Sequence, residues 1–186
     1  MKIKKTSIEG LVIVEPQIFS DSRGYFYESY NARDFETATG RKVDFVQDNQ
    51  AFSRYGVLRG LHFQLPPHAQ AKLVSVVRGS VLDVAVDLRK GSPTYGRYEA
   101  VELSGDNHLR LFIPRGFAHG YLVLSRTALF QYKCDGFYAP KAEGGLAWDD
   151  PDIGIKWPLA PEELILSPKD LRHGLLKDFD SPFIYR

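Results

Sequence analysis

The sequence predicts an all-β fold, a jelly-roll barrel with short helices at its periphery. At least eight short apolar stretches bounded by turn residues fall within 186 residues. These stretches do not alternate with long helical patterns, which argues against a βαβ arrangement. No internal repeat and no linker interrupts them, so residues 1–186 read as a single domain.

Residues 11–14 (LVIV) form a short apolar strand stopped by Pro16. Residues 31–39 suit a short helix, with Asn31 as its cap and Gly40 as its stop. Strands follow at 43–51 and 57–64, and Pro66-Pro67 breaks the chain after them. The run KLVSVVRGSVLDVAVDLRKG reads as two strands hinged at Arg78-Gly79-Ser80. In its second half Leu82, Val84, Val86 and Leu88 share one face, and Asp83, Ala85 and Asp87 share the other. Further strands are expected at 96–103, 109–113, 119–124 and 127–134. Residues 135–170 are rich in Pro, Gly and Asp and read as long ordered loops. A last short helix starts near Ser167, with Pro168 at its first position.

Charge and cysteine content narrow the function classes. Formal net charge is +1, with no long Lys/Arg block and no zinc-finger spacing, so nucleic acid is a poorly supported partner. No apolar stretch reaches membrane-spanning length, and residues 1–14 make a poor secretion signal. A cytoplasmic location is the default expectation. The single cysteine, Cys134, has no partner for an intrachain disulfide and reads as an apolar filler.

Among the five histidines, His62 and His119 each lie in an apolar strand near a glycine and an arginine. A strand histidine is more often structural than catalytic, but two such placements raise a site hypothesis. Metal is not expected. His62-Phe63-Gln64 lacks the second imidazole of an HxH pair, and H-E-x-x-H and cysteine pairs are absent. Arg23 and Arg59 each precede a glycine, where a guanidinium can approach a phosphate closely and bind it through parallel donors. Lys72 is in phase with Val74 and Val76, so an inward-facing strand puts a cation at the rim of the core, able to stabilise an enolate. Phe130, Tyr132 and Cys134 share a strand face, and Phe137 and Tyr138 follow in a loop where a ring can stack on a base. Asp170 can orient a histidine. Neither GxGxxG nor GxxxxGK[ST] is present, and no nicotinamide or other cofactor is expected.

Long ordered stretches carry a family resemblance: FSDSRGYFYESY at 19–30, FVQDNQAFSRYGVLRGLHFQ at 45–64, QAKLVSVVRGSVLDVAVDLR at 70–89, IPRGFAHGY at 113–121, YKCDGFYAPKAEGGLAWDDPDIGIKWP at 132–158 and LSPKD at 166–170. Together they make the chain resemble the dTDP-4-dehydrorhamnose 3,5-epimerase family of the cupin class. The resemblance implies a cupin jelly-roll barrel and proton exchange at C3 and C5 beside a C4 ketone, in a sugar linked to dTDP. It implies His62 as base, Asp170 fixing its tautomer, Tyr132 as acid on the opposite face and Lys72 on the C4 oxygen. Arg23 and Arg59 would grip the diphosphate. Gln47 and Asn49 would bind around the nucleotide, and Glu28, His119, Glu143 and Lys169 would complete the pocket. Tyr138 would stack on thymine, with Phe19 and Phe26 lining that end. A homodimer with N-terminal strands crossing between subunits is also implied. Arg115 and Ser75 depart from the family's commonest wording, which has glutamate and arginine there. Single-centre epimerases share most of these motifs and are the alternative enzyme reading; a sugar-binding cupin without turnover is the non-enzyme one.

Overall fold

The structure is a computed structural model that describes residues 1–185. Its strands, in chain order, are β1 (Lys2–Lys5), β2 (Val12–Glu15), β3 (Phe19–Asp21), β4 (Gly24–Phe26), β5 (Gln47–Arg54), β6 (Leu58–Gln64) and β7 (Lys72–Arg78). They continue with β8 (Ser80–Asp87), β9 (Tyr98–Ser104), β10 (Arg110–Ile113), β11 (Phe117–Val123), β12 (Thr127–Cys134) and β13 (Glu143–Gly145). The helix α1 spans Ala32–Thr39, and short 3₁₀ turns punctuate the C-terminal third. No helix among the described residues is long and apolar enough to cross a membrane.

The expected barrel is not formed. The strands make a six-stranded sheet ordered β1-β2-β10-β7-β12-β5, a five-stranded sheet ordered β13-β6-β11-β8-β9, and a separate β3–β4 hairpin. Neither large sheet closes, because no backbone ladder crosses from one to the other. At the corners the chain changes sheet through tight turns, and the hydrogen bonds do not follow it. Gly56 turns β5 into β6 at φ +78°, and Gly79 turns β7 into β8 at φ +84°. A Cβ at Gly79 would lie 2.1 Å from the Thr127 carbonyl oxygen, so the hinge expected at Arg78-Gly79-Ser80 has room only for glycine. Counting short strands predicts an all-β chain, but it does not predict pairing across corners.

The two sheets stack face to face over one core. Val74, Val76, Leu111, Ile113 and Phe130 of the six-stranded sheet meet Val81, Ala85, Leu103, Phe117 and Val123 of the other. The outer faces are partly covered too. Leu61, Val84, Val86 and Leu88 pack against Leu146, Ile153 and Phe183 from the C-terminal loops. On the far side α1 inserts the fully buried Phe35 against Phe112, with ring centroids 5.1 Å apart. Deleting that ring would cost about 3–5 kcal/mol. The helix ends follow the sequence: the Asn31 side chain accepts from the backbone of Arg33 and Asp34, and Gly40 adopts the left-handed conformation.

β1, β3, β4 and β13 were not anticipated. β1 is charged, the hairpin strands are fully exposed and three residues long, and β13 is mostly glycine, so none carries an apolar alternation. The helix expected near Ser167 is a 3₁₀ turn at Asp170–Arg172, with the Ser167 hydroxyl accepting from the Asp170 amide at 3.2 Å.

Candidate active site

At one end of the stack the apolar core gives way to polar inward side chains, and a cavity of about 300 Å³ opens between the sheets. His62, from β6, stands on the wall made by the five-stranded sheet. Lys72 and Tyr132, from β7 and β12, stand on the opposite wall. The last two follow from strand phase: Lys72 continues the inward row of Val74 and Val76, and Tyr132 that of Phe130.

Behind His62 lies the carboxylate that orients it. Nε2–H of His62 donates to Oδ1 of Asp170 at 2.5 Å, and the Asp170 side chain is only 4% exposed. The Ser167 hydroxyl donates to Oδ2 of Asp170 at 2.8 Å, so both carboxylate oxygens are engaged. This bond leaves the Nδ1 lone pair free as a base. Burial pushes the His62 pKa below its ordinary value, and Asp170 pulls partly the other way. The net effect favours the neutral ring.

Burial also lowers the Lys72 pKa. Lys72 has no carboxylate within ion-pair distance among the described residues, and its ammonium lies 5.9 Å from the Tyr132 ring centroid. A desolvated cation without a fixed partner suits an oxygen that gains charge during reaction. Burial pushes the Tyr132 hydroxyl up to about 12, which keeps it protonated and able to donate.

The cavity mouth is tied by a polar chain. Glu143 pairs with Lys169 and accepts from the Tyr138 hydroxyl at 2.8 Å. Burial raises the Glu143 pKa, but those two partners outweigh it and hold the carboxyl below its ordinary value. The Tyr138 amide donates to Gln47 Oε1 at 3.0 Å, and Gln47 Nε2 donates to Asn49 Oδ1 at 2.9 Å. Gln64 anchors the same loop, accepting from the Ala139 amide at 2.7 Å and donating to the His68 carbonyl at 2.7 Å. The Tyr138 ring stays exposed above this frame.

The cavity thus gathers Gln47, Asn49, His62, Lys72, Tyr132, Tyr138 and Glu143, with Asp170 and Lys169 directly behind. His119 sits opposite His62 in the β6–β11 ladder, and its Nε2 is paired with the buried Asp83 at 2.9 Å. Arg59 reaches the inner side because the β6–β11 register shifts between His119 and Tyr121. That bulge turns Arg59 toward Ser53, whose hydroxyl accepts from Nε at 3.1 Å, while Leu61 points into the outer core. Phe19, Arg23 and Phe26 lie in the exposed β3–β4 hairpin, where they line a separate surface hollow and Arg23 pairs with Asp21 at 2.5 Å. Glu28 follows the hairpin and accepts from Asn31 Nδ2 at 3.3 Å.

Sequence reasoning missed Gln64, Gln70, Asp83 and His173. Gln64 and Gln70 line the cavity, and Asp83 shares its strand face with Ala85. The inward phase of Asp83 was legible; its pairing with His119 was not. His173 packs edge-on against His62, with ring centroids 5.6 Å apart.

Comparison with known proteins points to one family. The family model described as dTDP-4-dehydrorhamnose 3,5-epimerase matches residues 5–178. A dTDP-4-dehydrorhamnose 3,5-epimerase of Shigella flexneri is 51% identical over 180 residues, covering 97% of this chain and 98% of that protein. The crystal structure of the enzyme of that name from Elizabethkingia anophelis NUHP1 superposes with a TM-score of 0.93 at 52% identity, covering 96% of this chain and 97% of that one. A dTDP-6-deoxy-D-glucose-3,5-epimerase from Legionella pneumophila Philadelphia 1, crystallised with dTDP-4-keto-L-rhamnose, gives a TM-score of 0.95 at 48% identity, covering 100% and 98%.

Proposed function

The chain belongs to the dTDP-4-dehydrorhamnose 3,5-epimerase family, and we propose that its reaction runs between His62 and Tyr132 across the Lys72 cavity. The enzyme is an isomerase acting on a dTDP-linked 4-keto-6-deoxy sugar. It converts dTDP-4-dehydro-6-deoxy-D-glucose to dTDP-4-dehydro-L-rhamnose. One observation carries the mechanism: the candidate base and acid stand on opposing sheets, with an unpaired cation beside the acid.

Protons next to a ketone are weak acids, so removing one needs a place for the charge. His62 Nδ1 takes the proton from C3 or C5, and Asp170 steadies the imidazolium that forms. The electron pair moves onto the C4 oxygen, where Lys72 meets it. Tyr132 then returns a proton to the same carbon from the other face, and its configuration inverts. Proton exchange with solvent resets both groups for the second carbon. No hydride moves in either step.

Around this centre Gln47, Asn49 and Glu143 hold the ligand, with Lys169 and His119 behind them, Tyr138 stacks on the thymine, and Arg59 takes phosphate. Arg23 joins Arg59 on the diphosphate, Glu28 completes the pocket, and Phe19 and Phe26 line the thymine end. They lie apart from the cavity in one copy, and the hairpin's rings are exposed. That exposure supports a homodimer in which N-terminal strands cross between subunits and a second copy covers the hairpin. The lone buried thiol suits a reducing, cytoplasmic setting.

The test is NMR of the 4-keto-6-deoxy-glucose nucleotide incubated with enzyme in heavy water. Deuterium entering at both C3 and C5 with inverted product supports the reading. Bound nucleotide sugar without exchange overturns it.

A further inference from the structure

We propose that His62, Asp170 and His173 form a binding site for one divalent transition-metal ion of the zinc type, and that its occupation silences the enzyme. The binding claim stands on geometry alone; the silencing claim rests on His62 being the base.

Ligating atoms of all three side chains lie within 4.8 Å of one another. Asp170 Oδ1 is 2.5 Å from His62 Nε2 and 3.8 Å from His173 Nε2. Zinc bonds of about 2.0–2.1 Å in a tetrahedron set ligand atoms roughly 3.3–3.4 Å apart. The two distances to Asp170 must open and close by less than an ångström, and the two imidazole nitrogens, no more than 4.8 Å apart, must draw together as well, a shift within reach of side-chain motion. Two imidazoles and one carboxylate are a donor set that zinc accepts.

His173 itself points to a missing partner. Its Nε2 is buried and makes no hydrogen bond among the described residues. Such an atom costs about 1–3 kcal/mol. The ring cannot easily swing away to find water. It lies against the backbone of Gly145, where a Cβ would come within 2.4 Å of Cε1. Asp170 is held by Ser167, and His62 lies on the cavity wall. The proposed mechanism gives His173 no role.

Occupation would switch off the base by a change of tautomer. The metal takes the Nε2 lone pair of His62, so the ring's one proton moves to Nδ1. Nδ1 then faces the cavity as N–H and cannot accept a proton from carbon.

The experiment titrates the apo enzyme with zinc by calorimetry and with cobalt(II) by visible absorption, and follows deuterium exchange alongside. His173→Gln and His173→Ala are measured beside the parent, with His68→Ala as control. The parent should take up one equivalent with a tetrahedral cobalt spectrum and lose exchange as zinc fills the site; a chelator should restore it. Both His173 variants should bind at least tenfold more weakly and keep exchanging at zinc levels that silence the parent. A parent that gives no stoichiometric binding or no tetrahedral cobalt band, or His173 variants that bind as the parent does, would overturn the site. Stoichiometric binding that His173 substitution removes, with exchange undisturbed throughout, would leave the site standing and remove His62 as the base.

Discussion

Asp170→Asn perturbs the site with almost no change of shape, and the structure dictates both the size and the sign of its effect. Asp170 Oδ2 accepts from the Ser167 hydroxyl at 2.8 Å, while that hydroxyl already accepts from the Asp170 amide at 3.2 Å. The new side chain therefore turns its carbonyl oxygen to Ser167 and its NH₂ to His62. An NH₂ facing Nε2 demands the Nε2 lone pair and sends the proton to Nδ1, the wrong tautomer for a base. The same substitution in a His–carboxylate relay costs about 10⁴ in kcat. Allowing for partial rescue by rotation, the expected fall is ~10²–10⁴, or roughly 3–5 kcal/mol. The pH profile distinguishes this from simple damage. Burial lowers the His62 pKa, and Asp170 is the main group raising it, while Lys72 and Lys169 also push it down. Removing the carboxylate charge leaves the lowering effects unopposed. The acid limb of kcat/KM should move to lower pH even as the plateau falls. The assay is kcat/KM across the acid range for parent and variant, with folding checked by circular dichroism. A limb that moves to higher pH, or a plateau at the parent level, would refute the reasoning.

With Tyr132 raised to about 12, ultraviolet difference titration of the parent against Tyr132→Phe should show no tyrosinate from this residue below about pH 10, and a difference that appears well before that would remove it as a proton-holding acid. Arg59→Ala should weaken dTDP binding by at least roughly tenfold, about 1.4 kcal/mol, with partial recovery in Arg59→Lys; unchanged calorimetric affinity would take Arg59 out of the site. Gly120→Ala places a Cβ 2.7 Å from the Arg59 carbonyl oxygen and 3.2 Å from Gly60 Cα, both rigid backbone. Urea unfolding should show a loss of about 1–3 kcal/mol, whereas parent-like stability would mean that the β6–β11 bulge yields freely.

Much of the molecule was legible because its signals are local. The Asn31 cap, the Gly40 stop and the hinge at Gly79 are set by a few consecutive residues, and the structure keeps them. Strand phase grouped Lys72 with Val74 and Val76, and Tyr132 with Phe130, and the structure turns both rows inward. Pairing itself is long-range, which is why the open edges of both sheets escaped an estimate based on strand count. Short exposed strands escaped as well, since Phe19–Asp21 buries nothing and so has no reason to alternate. Arg59 shows the limit most clearly. Regular alternation would give it the face of Leu61, yet one extra residue in β6 sends Leu61 outward and Arg59 inward. Such a bulge leaves only Gly60 and Gly120 as its trace in the sequence, two glycines whose backbones must nearly touch.

The central claim is that one side chain removes the proton and another, from the opposing sheet, returns it. Parallel NMR of deuterium uptake and product configuration for His62→Ala and Tyr132→Phe tests it most directly. His62→Ala should stop exchange at C3 and C5 alike, because no enolate forms. Tyr132→Phe keeps the ring and most of its packing, so it should bind substrate and still exchange with retention, while inversion falls by ~10²–10⁴. Inversion at the parent rate in Tyr132→Phe, or exchange at the parent rate in His62→Ala, would contradict the account.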